Sequence, residues 1–142
     1  VCPVSTGSGL PFVDEHAVHV AAPRDRVWVT LERWADGELT TAAPGAVARV
    51  LGTDPPGGFR VTGRRPGRSI DLTGRHRFSR YRLELVLGDA PDGGTVLRAR
   101  THAAFPGIAG QTYKTLVIRS RLHVVVVRRM LRGIRHRVGR RA

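Results

Sequence analysis

One cysteine, one lysine and few aromatic rings set this sequence apart before anything it holds in plenty. The single cysteine, Cys2, excludes an internal disulfide framework and fits a reducing cytoplasm. The scarcity of aromatic residues, 6% of the chain, leaves little to interleave with bases and argues against specific recognition of single-stranded nucleic acid. The apolar stretch from Leu122 to Val127 is far shorter than the roughly 20 residues a bilayer requires, so no integral membrane segment is expected. Residues 1–12 have neither a basic start nor a long apolar core and read as a flexible leader, not a secretory signal.

Catalytic and metal-binding patterns are equally sparse. No nucleophile-elbow pattern surrounds a serine or the cysteine. Six histidines invite a metal, but His16 and His19 lie three apart on a strand and point to opposite faces, so neither a metal nor a cofactor is expected. Asp71 and Glu84 alternate onto solvent faces, and Asp54, Asp89 and Asp92 fall in turns, so no carboxylate pair emerges.

What is present is apolar periodicity and arginine. With 142 residues and 41% hydrophobic content, residues 13–142 form one domain of ordinary size. The last third reads as one long amphipathic helix from Ala109 to Gly139. Tyr113, Val117, Ser120, Val124, Val127, Leu131, Ile134 and Val138 recur there at spacings of three and four and share one stripe. On the opposite face Ile118, Leu122, Val125 and Val126 offer either a homodimer surface or scattered surface aliphatics of no consequence. The net charge of +13, with nine arginines between Arg119 and Arg141, suggests anionic partners. A GC-rich coding sequence would produce the same arginine bias with no recognition role. Non-specific attraction to nucleic acid or membrane is the most the charge predicts.

Upstream, period-two alternation dominates. His16, Val18 and Val20 share one face of a strand, Ala22-Pro23 ends it, and Pro23 with Asp25 starts a helix that presents Val27, Leu31 and Trp34 together. Residues 36–54 are weakly patterned, with a short helix expected from Ala46 to Leu51. After the turn at Pro55-Pro56-Gly57-Gly58, the runs Phe59–Val61 and Ile70–Leu72 form a hairpin around Pro66-Gly67. Tyr81, Leu83, Leu85 and Leu87 then alternate inward, Asp92-Gly93-Gly94 turns the chain, and Leu97, Ala99, Thr101, Ala103 and Phe105 follow suit. Strand, helix, antiparallel meander and long helix make an α+β domain whose helices cover one face of a curved antiparallel sheet.

The order of elements resembles the START-like (SRPBCC) superfamily. The segment from His16 through Ala22-Pro23 to Trp28 is similar to that family's opening strand, junction and first helix. The segments Gly74 to Tyr81 and Thr101 to Gly107 are similar to an uncharacterised bacterial branch of it. The resemblance implies a helix-grip fold, with the sheet wrapped around the long C-terminal helix, a cavity between them, and residues 36–54 at the entrance. It makes a small hydrophobic or aromatic molecule the expected partner. The strand phases assign Leu72, Tyr81, Thr101, Phe105, Tyr113 and Val117 to the cavity lining, with Trp34 and His76 near its mouth. His16 and Ser79 are further polar groups on the inner face. If the cavity catalyses, as in polyketide cyclases and dehydrases, His76 and Tyr81 are the acid/base candidates, with Arg77 beside them.

Overall fold

The computed structural model describes residues 10–37, 59–76, 79–105, 107–120 and 122–140. In chain order these form β1 (Phe12–Val20), α1 (Arg24–Gly37), β2 (Arg60–Arg65), β3 (Ser69–His76), β4 (Ser79–Asp89), β5 (Thr95–Ala104), α2 (Gly107–Ser120) and α3 (Leu122–Arg140). The expected short helix at Ala46–Leu51, the leader up to residue 9 and Arg77 lie outside the described residues.

All five strands join one antiparallel sheet in the order β1-β5-β4-β3-β2, so the first strand closes onto the last. Turn chemistry sets the hairpins. Arg68 N–H donates to the Arg65 carbonyl at 2.9 Å, and Gly67, at φ 72°, takes the left-handed position that a type II turn after Pro66 demands. Between β4 and β5, the Asp92 carboxylate accepts from Gly94 N–H at 3.0 Å and contacts His19 Nε2 at 3.1 Å. Those contacts, the His19 bond foremost, hold the Asp92 carboxyl below its ordinary range. A side chain at Gly94 would put its Cβ 2.8 Å from the Val20 carbonyl, so only glycine fits where β1 ends against this turn.

The two faces of the sheet differ in chemistry. Outward, Glu15 reaches Arg100 at 2.9 Å and Arg98 at 3.4 Å, and Arg82 meets Asp71 at 3.2 Å. Such pairs keep the face wet and contribute little individually. Inward, Ile70, Leu72, Leu83, Leu85, Leu87, Leu97 and Ala99 are buried. Against them lie Val27, Trp28, Leu31, Trp34 and Ala35 of α1 with Val127, Leu131, Ile134 and Val138 of α3. The expected stripe of the last helix is therefore the core-facing one from Val127 onward.

The helix expected as a single run from Ala109 to Gly139 is described as two stretches, α2 and α3, flanking residue 121, which lies outside the described residues. They also pack differently. α3 lies on β1, β5 and α1, whereas the main packing partner of α2 is α3. Polar ties fasten α1: Arg24 to Asp89 at 2.9 Å, the buried Thr95 hydroxyl donating to the Ala22 carbonyl at 2.8 Å, and Arg64 to both Asp36 and Glu32. The hydrogen bond to Asp36, foremost, raises the Arg64 guanidinium above its ordinary value. Among the described residues no helix is long and apolar enough to cross a membrane.

Candidate functional site

The inner face of the sheet is not uniform along its length. At the end where β4 turns into β5, Leu87, Leu85, Leu97, Ile70 and Val20 are all at most 5% exposed. Toward the other end the same face turns polar and less buried: Tyr81 on β4, Gly74 on β3, Thr101 on β5, and Asp14 and His16 on β1 are half-buried. Register places them together. Asp14 lies opposite Thr101, His16 opposite Ala99, Tyr81 opposite both Gly74 and Ala103. Same-face neighbours in adjacent strands come within side-chain reach of one another.

Asp14 and His16 form the chemical centre of this end. A register shift between Phe12 and Asp14 turns Phe12 outward, where its ring meets His102 edge-on at 5.6 Å, and turns Asp14 inward. Two residues on, His16 shares Asp14's face, and its Nε2 lies 3.1 Å from Asp14 Oδ2. A carboxylate can only accept, so in a neutral imidazole Nε2 carries the proton and Nδ1 is left as the acceptor. An imidazole oriented by a carboxylate is also the arrangement of a general base. Across the strand, the Thr101 hydroxyl oxygen is buried with no hydrogen-bond partner among the described residues. That unmade bond costs free energy unless a further group supplies it.

The expected lining residues divide. Phe105 borders an open cleft of about 740 Å³ at the end of β5, lined also by Phe12, Arg80, Ala103, Gln111 and Lys114; it straddles the sheet's rim, next to Asp14, His16 and Thr101 but not lined by them. Gln111 fixes that corner by donating to the Phe105 carbonyl at 2.9 Å, and Lys114 Nζ stands 6.0 Å over the Phe105 ring. Tyr81 packs edge-on against Phe59 at 5.1 Å between ring centres. Leu72 faces inward as expected, but it is 0% exposed in the packed core. Trp34 is 8% exposed in the same core, not at a rim, because α1 packs between α3 and β4 and its Val27-Leu31-Trp34 face is buried there. The side chains of His76, Ser79, Tyr113 and Val117 lie outside the described set. So do those of Ile118, Leu122 and Val126, while Val125 is 59% exposed. Among the described residues no group of three or more His, Cys, Asp or Glu side chains could hold a metal.

Asp14 is the residue that sequence reasoning passed over. The signal was present, since aspartate and histidine two apart on a strand share a face. Alternation counted only from His16 onward leaves it out, although the register shift lies further back, between Phe12 and Asp14.

No family model matches the sequence, and neither does any curated protein. Among solved structures, the crystal structure of Ara h 8.0201 superposes with a TM-score of 0.54 at 12% identity, covering 92% of this chain and 98% of that one. A Deinococcus radiodurans protein reaches a TM-score of 0.40 at 14% identity, over 75% of this chain and 94% of that one. A Chromobacterium violaceum protein reaches 0.37 at 16% identity, over 72% and 89%. The likeness to Ara h 8.0201, over nearly the full length of both chains, joins the five-stranded antiparallel sheet and the helix laid along its inner face in one conclusion: this is an α+β protein with the START-like helix-grip fold.

Proposed function

We propose that the protein binds or carries a small apolar or aromatic molecule at the open end of its inner sheet face, with the Asp14–His16 pair and Thr101 as the polar anchor. The observation that carries this reading is the buried Thr101 hydroxyl, which has no hydrogen-bond partner among the described residues and lies one inner-face step from Ala103 at the border of the cleft. Apolar walls with a few convergent polar groups are the usual form of a small-molecule site. The START-like fold, with its sheet gripped by a C-terminal helix, supports the same reading.

Two alanines on β5 test it. Ala99 is 0% exposed in the core cluster, whereas Ala103, at 8% exposed, borders the cleft. Ala99→Leu is expected to cost about 1–3 kcal/mol through overpacking. Ala103→Leu should leave the melting temperature nearly unchanged while abolishing uptake of a fluorescent hydrophobic probe. If Ala103→Leu is as destabilising as Ala99→Leu and the unmutated protein takes up no probe, the carrier reading fails.

The Asp14–His16 contact favours one further reading, an acid/base enzyme of the polyketide cyclase or dehydrase kind, with Tyr81 and His76 as additional candidates. His16 would withdraw the α-proton of a β-hydroxy ketone, and its imidazolium would return that proton to the β-hydroxyl, which leaves as water as the carbon–carbon double bond forms. Dehydration of such a compound by the wild type, lost in His16→Gln with probe uptake retained, is the outcome this reading expects. Uptake without turnover leaves the carrier.

A further inference from the structure

The net charge of this protein is concentrated at one end of its sequence. Residues 1–92 carry 12 basic and 11 acidic side chains; residues 93–142 carry 12 basic and no acidic ones. Almost the whole net charge of +13 thus belongs to β5, the two C-terminal helices and the chain's last residues. On α3 that charge is organised. Val127, Leu131, Ile134 and Val138 are buried, and Arg128, Arg129, Arg132, Arg135, His136 and Arg140 are exposed on the remaining surface. Arg128, Arg132, Arg135 and Arg140 bring a guanidinium to nearly every turn, at a helical pitch of about 5.4 Å. Among the described residues none of these four forms a salt bridge, in contrast to the paired arginines of the sheet's outer face.

The shape of this surface narrows the partner. Arg132, Arg135, His136 and Arg140 border a shallow open groove floored by Gly133 and Gly139. Among the described residues the groove holds no buried donor that would fix a single small anion. A helix that binds a bilayer surface inserts its apolar stripe, but here that stripe is committed to the core, leaving charge alone. The helix has no phenylalanine, tyrosine or tryptophan on which an unpaired base could stack. A line of cations without stacking groups suits a polymer of phosphates approached from its backbone side.

We propose that the exposed face of α3 docks on the phosphate backbone of duplex nucleic acid, without sequence preference. Guanidinium suits phosphate because its planar fork can donate two hydrogen bonds to one group. From Arg132 to Arg140 the helix spans about 12 Å, which matches roughly three to four phosphates along one strand.

The test is fluorescence anisotropy with labelled DNA duplexes of about 20 base pairs in two unrelated sequences, titrated from about 50 to 200 mM salt. The wild type should bind both alike, and log K should fall against log salt with a slope of about −3. The variant Arg132→Gln/Arg135→Gln/Arg140→Gln should lose at least tenfold in affinity and most of that slope, at an unchanged melting temperature. Arg60→Gln/Arg65→Gln/Arg68→Gln removes the same charge from the β2–β3 hairpin, where all three side chains are exposed. It should change affinity by less than about twofold if the α3 face is the docking surface. Equal losses in the two triple variants would mean that net charge alone acts, and would overturn the proposal. So would an absence of duplex binding at the lowest salt, or binding confined to phosphatidylglycerol vesicles tested in parallel.

Discussion

Replacing Trp34 by alanine is expected to destabilise the protein by about 3–5 kcal/mol, the range for removing a large aromatic side chain from a packed interior. Trp34 is 8% exposed and belongs to the same buried cluster as Leu31, Leu72 and Leu131. Its removal would leave a cavity among α1, the sheet and α3 that these neighbours could only partly fill. Val29→Ala on the exposed side of the same helix is the control. That side chain is 45% exposed, and its loss should change stability by less than about 0.5 kcal/mol. Urea unfolding of the two variants separates the cases. A Trp34→Ala cost below about 1 kcal/mol would place the indole at a rim after all and reopen the packed end as a route for ligand.

The Trp34 position shows what periodicity can and cannot encode. Spacing of three and four put Val27, Leu31 and Trp34 on one helical face, and all three are buried. Period two likewise separated Leu83, Leu85 and Leu87 from Arg82 and Glu84, and it placed Leu97, Ala99 and Ala103 inward. A face, however, is a direction and not a depth. Leu72 and Tyr81 stand on the same side of adjacent strands, yet Leu72 is sealed beneath the helices and Tyr81 is half-buried near the open end. Which end of the sheet a helix covers depends on where the chain re-enters after each turn. Alternation within a strand carries no record of that.

The candidate site was legible in the same uneven way. His16 and Thr101 fall on the inner face as their phase requires, and Phe105 borders the cleft. Asp14 was legible in principle, standing two residues before His16 with no bulge between them, but that a carboxylate and an imidazole meet opposite Thr101 emerges only from the partner strand's register. The resemblance to the START-like superfamily supplied what alternation lacked, a curved sheet gripped by a terminal helix. It did not supply the chemistry, because one fold hosts many functions and the site residues must argue for themselves.

A last expected result tests the division of the interior into a packed and an open end. Ile134→Ala should cost about 2–5 kcal/mol, since Ile134 is 0% exposed on the α3 stripe between Leu131 and Val138 and the surrounding sheet cannot collapse into the space it leaves. Val125→Ala on the same helix should cost almost nothing, because that side chain is 59% exposed. Denaturant midpoints read both directly, and an unchanged slope shows that the folded state keeps its compactness. The sharper readout is probe uptake by Ile134→Ala at a temperature where it remains folded. The cleft borders Ala103, Phe105 and Gln111, whereas Ile134 packs in the aliphatic cluster with Leu85 and Leu97, so uptake should survive the substitution. Loss of uptake in the folded variant would mean that the two ends form one continuous cavity braced by α3. The ligand would then have to be sought along the whole inner face, not at the Asp14–His16 end.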